Sequence, residues 1–400
     1  MEKMVNEISR ATAMSLLEYF EGRGEEIVAL TRALVETESP SGDVAGSRAV
    51  VDLLVEAAKK VDGVTSIERI ESQNYGEHLR VCAFGEGKQN AETILLVGHT
   101  DTVHARGSLK ERPWRVEENR IYAPGIFDMK ANCALALEAL RACASFKLRP
   151  RGGVVLLLTC DEETGSEAGR ALVEAEASRA AYALVLEPPA SGGRVKTGRK
   201  GTGIFTMEAT GRAAHAGLEP EKGASAVLEI ARQIERLHSL NDAARGININ
   251  VGVVEGGTRS NVVAAAARAE IDLRFSETSE GKRVEDEILH ANSFDERVQL
   301  HVSGGINRPP LERNEKVLSL YERARRIAAA LDFDLGEAQV GGASDGNFVA
   351  ALGVPVLDGL GIEGDGAHAA HEHIIADAIA RRGALLAGLI ASLSNSDGES

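Results

Sequence analysis

Residues 94–104 read ILLVGHTDTVH: five apolar or small residues run into His99, and Asp101 follows two positions later. A short, continuously apolar run is the pattern of a strand covered on both faces, as in a parallel sheet flanked by helices. Side chains two apart on an extended chain share a face. Asp101 therefore stands where it can accept the second ring N–H of His99 and fix its tautomer, which prepares an imidazole for a metal. Taken alone, a histidine at a strand end serves equally well as a hydrogen-bonded structural residue.

The same pattern recurs along the chain. Residues 154–166, VVLLLTCDEETGS, end an apolar run in Asp161, Glu162 and Glu163, and residues 181–189, AYALVLEPP, end one at Glu187 before two prolines. Between them, IYAPGIFDMKAN (121–132) places Asp128 after a glycine turn and at the start of an apolar helix, where an acid also serves as a cap. Adjacent carboxylates such as Glu162 and Glu163 repel unless a cation or proton lies between them, although acids on a solvated loop need neither. Ligands of open α/β sheets gather beyond the carboxyl ends of the strands, so His99, Asp128, the Glu162–Glu163 pair and Glu187 are expected to converge. Histidine with carboxylates and no sulfur suits hard-to-borderline metals.

The 400 residues predict two domains, and an apolar fraction of 44% supports a large core. A formal net charge of −15 argues against a nucleic-acid partner. The first 26 residues mix charge throughout and lack the apolar core of a signal peptide, which predicts a cytoplasmic protein. The apolar stretch 384–393 is far shorter than the roughly 20 residues that span a bilayer, so no membrane anchor is expected. Cys82, Cys133, Cys143 and Cys160 form no C-x-x-C pair, which fits reduced thiols better than disulfides or a thiolate zinc site.

Apolar spacing predicts helices over 23–38 and 47–61, then strands over 79–85 and 93–98. From about Lys196 the pattern becomes strand, helix, strand, strand, helix, strand, the ferredoxin-like βαββαβ order, and this predicts an inserted α+β domain over 196–308. Within it, His215 sits in a small-residue loop, Asn261 in GTRSNVV, and Arg274 at a strand end. After Arg308 the first domain resumes with a helix over 318–331 and a short strand, VPVL. The chain then reaches GDGAHAAHEHI, with His368, His371, Glu372 and His373.

Together GHTDTV, GIFDMKAN, DEETGS, LEPP, GRAAHAG and GAHAAHE resemble, in order and spacing, the di-zinc metallopeptidase family of aminoacylase, glutamate carboxypeptidase, acetylornithine deacetylase and succinyl-diaminopimelate desuccinylase. The carboxypeptidase G type is most similar, through residues 199–221 and 341–361. The resemblance implies a zinc-peptidase-like doubly wound sheet with helices on both faces, formed by 1–195 and 309–400, with the 196–308 insertion as a lid and dimerisation domain. It implies two zinc ions per subunit, with cobalt or manganese as alternatives. His99 and Glu187 would hold one ion, Glu163 and His368 the other, and Asp128 would bridge them. His371 is the alternative to His368, which the family pattern favours because Glu372 follows it by four. Asp101 would orient His99 and Glu162 would be the general base.

Two metals about 3.5–4 Å apart lower the pKa of the water between them, so that hydroxide is available near neutral pH. By the same resemblance His215 would stabilise the oxyanion across a homodimer interface, and Asn261, Arg274 and Arg308 would hold the substrate carboxylate. The implied activity is hydrolysis of an amide or peptide bond next to a free carboxylate, of the glutamate carboxypeptidase kind. The alternatives are an N-acyl-amino-acid deacylase, a dipeptidase, a ureide amidohydrolase and a non-catalytic zinc-binding protein. One departure stands out: the family commonly follows Asp-Met-Lys with glycines, and this chain has Ala131 and Asn132. His104, His371 and His373 are left without a role.

Overall fold

The computed structural model describes residues 8–85, 93–150 and 152–393. Contacts divide the chain into two compact units. One comprises the chain up to Thr197, Arg313–Gln339 and the segment from Ser344 onward; the other comprises Gly198–Glu312 with Val340–Ala343.

The first unit is built on a six-stranded mixed sheet. Its order from one edge is Val64–Ser72, Gly76–Ala83, Val154–Thr159, Thr93–His99, Ala180–Val185 and Val356–Leu357. The first two strands form an antiparallel hairpin, the second is antiparallel to the third, and the last four run parallel. Both faces are covered. Ile94, Leu96, Val154, Leu156 and Leu158 belong to the main core with helices Val44–Ala58, Ala131–Ser145 and Ala378–Leu393. Leu95, Val97, Val155 and Leu157 point the other way and are equally buried, on the side of helices Gly169–Ala177 and Gly346–Ala351. Burial on both faces is why these strands read as unbroken apolar runs.

The expected helices over 23–38 and 47–61 occur as Gly24–Glu36 and Val44–Ala58, the second capped by Asp43, whose side chain accepts the Gly46 amide at 3.0 Å. Several features of this unit are not expected from the sequence, among them a helix, a strand and a small sheet. Helix Arg10–Gly22, capped by Ser9, buries only Ala13, Leu16 and Phe20 along a narrow stripe. Strand Val64–Ser72 is a sheet edge rich in charge and has no apolar alternation. A small antiparallel sheet joins Arg115–Glu117, Arg120–Tyr122, Gly364–Asp365 and His373–Ile375, segments too short to show a period and distant in sequence.

In the second unit four antiparallel strands lie in the order Asn248–Gly256, Ala266–Phe275, Gly201–Thr210, Gln299–Arg308. Helices Ala226–His238 and Thr278–Leu289 pack on the sheet. Its core, centred on Phe205, Ile271, Leu273 and Phe275, is separate from that of the first unit. This is the βαββαβ order expected from the sequence. Among the described residues no helix is long and apolar enough to cross a membrane. The reading of the N-terminus as lacking a signal peptide falls partly on residues 1–7, outside the described residues.

Candidate metal centre

Strand register explains how distant residues meet. In the parallel sheet His99 lies opposite Thr159, and Val97 lies opposite Val185. Two residues beyond Val97 and Val185, His99 and Glu187 are level with one another, and Glu162 and Glu163 follow just beyond Thr159. Gly98 leaves room for the Met129 side chain, whose sulfur lies 3.4 Å from the His99 amide; a Cβ at Gly98 would come within 2.5 Å of the Met129 methyl and displace it.

Asp128 does not begin the helix as expected. It lies in an irregular turn, Ile126–Lys130, with extended backbone (φ −118°, ψ 92°), and the regular helix starts at Ala131. The Asp128–Met129 peptide is cis. The turn is held from several sides. Asn132, fully buried, donates to Phe127 O at 3.4 Å and accepts the Ile362 amide at 2.8 Å. The substitution for the family's glycine therefore ties the turn to the chain after the last parallel strand. Buried Lys130 donates to Leu34 O at 3.0 Å and Thr37 O at 2.7 Å, at the carboxyl end of helix Gly24–Glu36, where a cation is favoured. Burial lowers its pKa to about 8.

Two groups of donors result: His99, Asp128 and Glu187, and Asp128, Glu163 and His368. His99 Nε2 is 3.2 Å from Asp128 Oδ1 and 3.4 Å from Glu187 Oε1. His368 Nε2 is 3.5 Å from Asp128 Oδ2 and 3.2 Å from Glu163 Oε2. Asp128 thus turns one oxygen to each group. Zinc with N and O ligands at its usual bond lengths sets tetrahedral donors about 3.3–3.5 Å apart, so both groups are spaced to fit such an ion. Glu163 Oε1 is buried and has no hydrogen-bond partner, which a cation would supply. Each group offers three protein donors and leaves a position open, as catalytic zinc sites do. His371 belongs to neither group. His368 takes a left-handed backbone conformation (φ 64°), uncommon outside glycine.

The electrostatics match. Burial alone would favour neutral His99, but the carboxylates of Asp101, Asp128 and Glu187 outweigh it and hold His99 well above its ordinary pKa. Asp128 and Glu163 raise His368 to about 10. Burial would raise Asp128, yet the two imidazoles bring it below the usual carboxylate range, while burial keeps Glu163 above it. Without a divalent ion the surplus of buried carboxylates is balanced by protons on the histidines.

Asp101 contacts more than His99. His99 Nδ1 lies 3.0 Å from the Asp101 carbonyl and 3.4 Å from Asp101 Oδ1. The Asp101 carboxylate also accepts the amides of Glu162 and Glu163, each at 3.2 Å, and the Ser41 hydroxyl at 2.6 Å. It therefore links the two carboxyl-end loops that carry His99 and Glu163. Glu162 is buried in a single turn, Glu162–Thr164.

Sequence reasoning missed the function of Glu372 and His104. The buried Glu372 carboxylate accepts the amides of Gly125, Phe127 and Asp128 at 2.8, 2.9 and 3.0 Å, and meets His104 Nε2 at 2.5 Å. His373 is buried with its ring 5.0 Å from that of Tyr122. The spacing of Glu372 from His368 was the visible signal; its target, a backbone turn some 245 residues earlier in the chain, was not.

The remaining candidates lie in the second unit. His215 Nδ1 accepts the amides of Gly217 (3.2 Å) and Leu218 (3.1 Å), which leaves the proton on Nε2 as a donor. Asn261 adjoins it through its carbonyl, which accepts the Ala216 amide at 3.0 Å. Arg274 and Arg308 stand on either side of Thr202, each its cross-strand neighbour. Arg274 also forks onto Asp272, with both contacts at 2.8 Å.

Paired three-donor groups that share a carboxylate define a two-metal hydrolytic site. The chain belongs to peptidase family M20/M25/M40, whose model matches residues 95–392, and it is a metal-dependent hydrolase. It is 29% identical to carboxypeptidase G2 of Pseudomonas sp. (strain RS-16) over 374 residues, 92% of this chain and 89% of that relative. It is 32% identical to acetylornithine deacetylase of Myxococcus xanthus over 204 residues, 48% of this chain and 51% of that one. In fold it is similar to aminopeptidase PepT of Bacillus cereus ATCC 10987, with a TM-score of 0.71, 22% identity, and 93% and 99% of the two chains covered. It is also similar in fold to the M20 family metallo-carboxypeptidase Sso-CP2 of Sulfolobus solfataricus, with a TM-score of 0.68, 17% identity, and 92% and 99% covered.

Proposed function

We propose that the protein is a di-zinc carboxypeptidase of the glutamate type, cleaving an amide or peptide bond next to a free carboxylate. The observation that carries this reading is the pair of donor groups joined through Asp128, with Glu162 next to the ligand Glu163 in the chain. Likeness to carboxypeptidase G2 over nearly the whole of both chains supports the choice of substrate class.

His99 and Glu187 would hold one zinc and Glu163 and His368 the other, with Asp128 offering an oxygen to each. Zinc held there would supply Lewis acidity for attack of water on the scissile carbonyl. Glu162 accepts a proton from that water on a carboxylate oxygen and delivers it to the departing amine nitrogen. Glu163, committed to metal, cannot share this duty, and this accounts for two adjacent glutamates with different tasks. His215 Nε2–H donates to the developing oxyanion. Asn261, Arg274 and Arg308 receive the substrate carboxylate, with Arg274 exchanging part of its pairing with Asp272 for the substrate.

The second unit serves as lid and dimerisation domain, and His215 acts in the site of the other subunit of a homodimer. Exposed Val253 and Val254 on the edge strand and exposed Val227 and Leu228 on the adjoining helix provide the apolar contact a dimer needs. A cytoplasmic location is supported by four cysteines that are all free thiols.

The test is a screen of the zinc-loaded protein against C-terminal glutamyl peptides, N-acyl amino acids, dipeptides and allantoate. Glutamyl peptides should give the highest kcat/KM. A higher value for acetylornithine or another N-acyl amino acid would overturn the carboxypeptidase reading in favour of the deacylase one.

A further inference from the structure

A third group of donors lies behind the first two. His78, on strand Gly76–Ala83, meets Cys160 and Asp161, which follow strand Val154–Thr159 and immediately precede Glu162. All three are buried, and their donor atoms lie within 4.8 Å of one another. His78 Nδ1 is 3.6 Å from Cys160 Sγ, the separation of about 3.6 Å that nitrogen and sulfur take on one tetrahedral zinc. The same nitrogen accepts the Cys160 amide at 3.2 Å, a long bond whose lone pair an ion would take over.

One buried polar atom of the cluster lacks a partner. Asp161 is fully buried; its Oδ2 accepts the amides of Ala168 (2.7 Å) and Gly169 (3.1 Å), but its Oδ1 is buried without a hydrogen-bond partner. Asp101 and Asp345, also buried, bear on the same imidazole, so the surroundings are negative. Buried unpaired carboxylate oxygens call for a proton, a donor or a metal.

We infer that His78, Cys160 and Asp161 form a third metal site, distinct from the two that share Asp128, which takes a borderline-soft divalent cation such as zinc. The Cys160 thiol gives up its proton to solvent on binding, and thiolate and carboxylate together neutralise the ion. Three protein donors leave one position for a water. Because Cys160 and Asp161 lead directly into Glu162 and Glu163, the ion anchors the base of the loop that carries them. A thiolate ligand separates this site from the other two, which contain no sulfur.

The experiment is cobalt titration of the full-length apoprotein with absorption spectroscopy, alongside zinc analysis after equilibrium dialysis. The expected result is three equivalents of zinc per chain and, in the cobalt protein, a near-ultraviolet thiolate-to-cobalt charge-transfer band that saturates with one equivalent. Cys160→Ser, nearly isosteric, should bind two equivalents and lose the band, and His78→Asn should do the same. Two equivalents in the wild type, a third equivalent without the band, or a band that persists in Cys160→Ser would each overturn the inference. The wild-type measurement is decisive even if a variant does not fold.

Discussion

Replacement of Glu372 by alanine should damage the metal centre although Glu372 is in neither donor group. Its carboxylate accepts three backbone amides of the turn that carries Asp128 and also contacts His104. A hydrogen bond to a charged group contributes about 1.5–3 kcal/mol, and a buried amide left without an acceptor costs about 1–3 kcal/mol. These effects overlap and water refills part of the space, so the net loss should be about 3–5 kcal/mol of the stability of the first unit. Groups that position ligands typically change metal affinity by about 10–100-fold, and the same loss is expected in zinc binding. Glu372→Gln keeps one carbonyl acceptor and should lose roughly half as much stability. Urea unfolding of the metal-free protein measures the first quantity, and competition with a chromophoric chelator measures the second. A Glu372→Ala protein within about 0.5 kcal/mol of wild type, with unchanged zinc affinity, would show that the turn is held by Asn132 and Lys130 alone.

Glu162→Gln should retain both ions of the paired site and lose kcat by about 10²–10⁴-fold; near-normal kcat in a metal-replete variant would remove Glu162 as the base. Zinc affinity should rise with pH through neutrality and onward to about pH 10, because each ion must displace protons from histidines held above their ordinary pKa. The sign reverses for the metal-free protein. Its protonated His368 adds stability below the unfolded value of about 6.5, and that contribution disappears as pH rises through about 10. Chelator competition and thermal unfolding across pH 6–10 test both, and a flat profile in each would contradict the assignment. Finally, Leu228→Glu with Val253→Lys should yield monomers in sedimentation, with zinc content unchanged and kcat lost; a fully active monomer would exclude His215 acting across a dimer.

Much of the first unit was legible because burial on both faces leaves unbroken apolar runs, and each such run announced the acid or histidine at its end. The second unit was legible through the order of its strands and helices. The unread parts were those whose signal is not local. Strand Val64–Ser72 takes its place from pairing with its neighbour, and the small sheet assembles segments some 250 residues apart. Glu372 serves amides that no pattern around it reveals, and His78 looks like any strand residue until Cys160 and Asp161 are placed beside it.

By itself the sequence determined the donor types, the order in which they arrive and the strands that end in them, since hydrophobic periodicity and residue chemistry are local properties. Residue chemistry and periodicity do not say which donors lie together; the resemblance implied the pairing, and tertiary structure brought those donors within reach of one another. Residues 99–101 show the difference: the spacing of His99 and Asp101 predicts that both share a face, but only the parallel register brought Glu187 level with His99. Only the Asp128 turn, held by Glu372, Asn132 and Lys130, placed one carboxylate between two imidazoles. Distances between chain segments follow from packing and register, and neither is written at any one position.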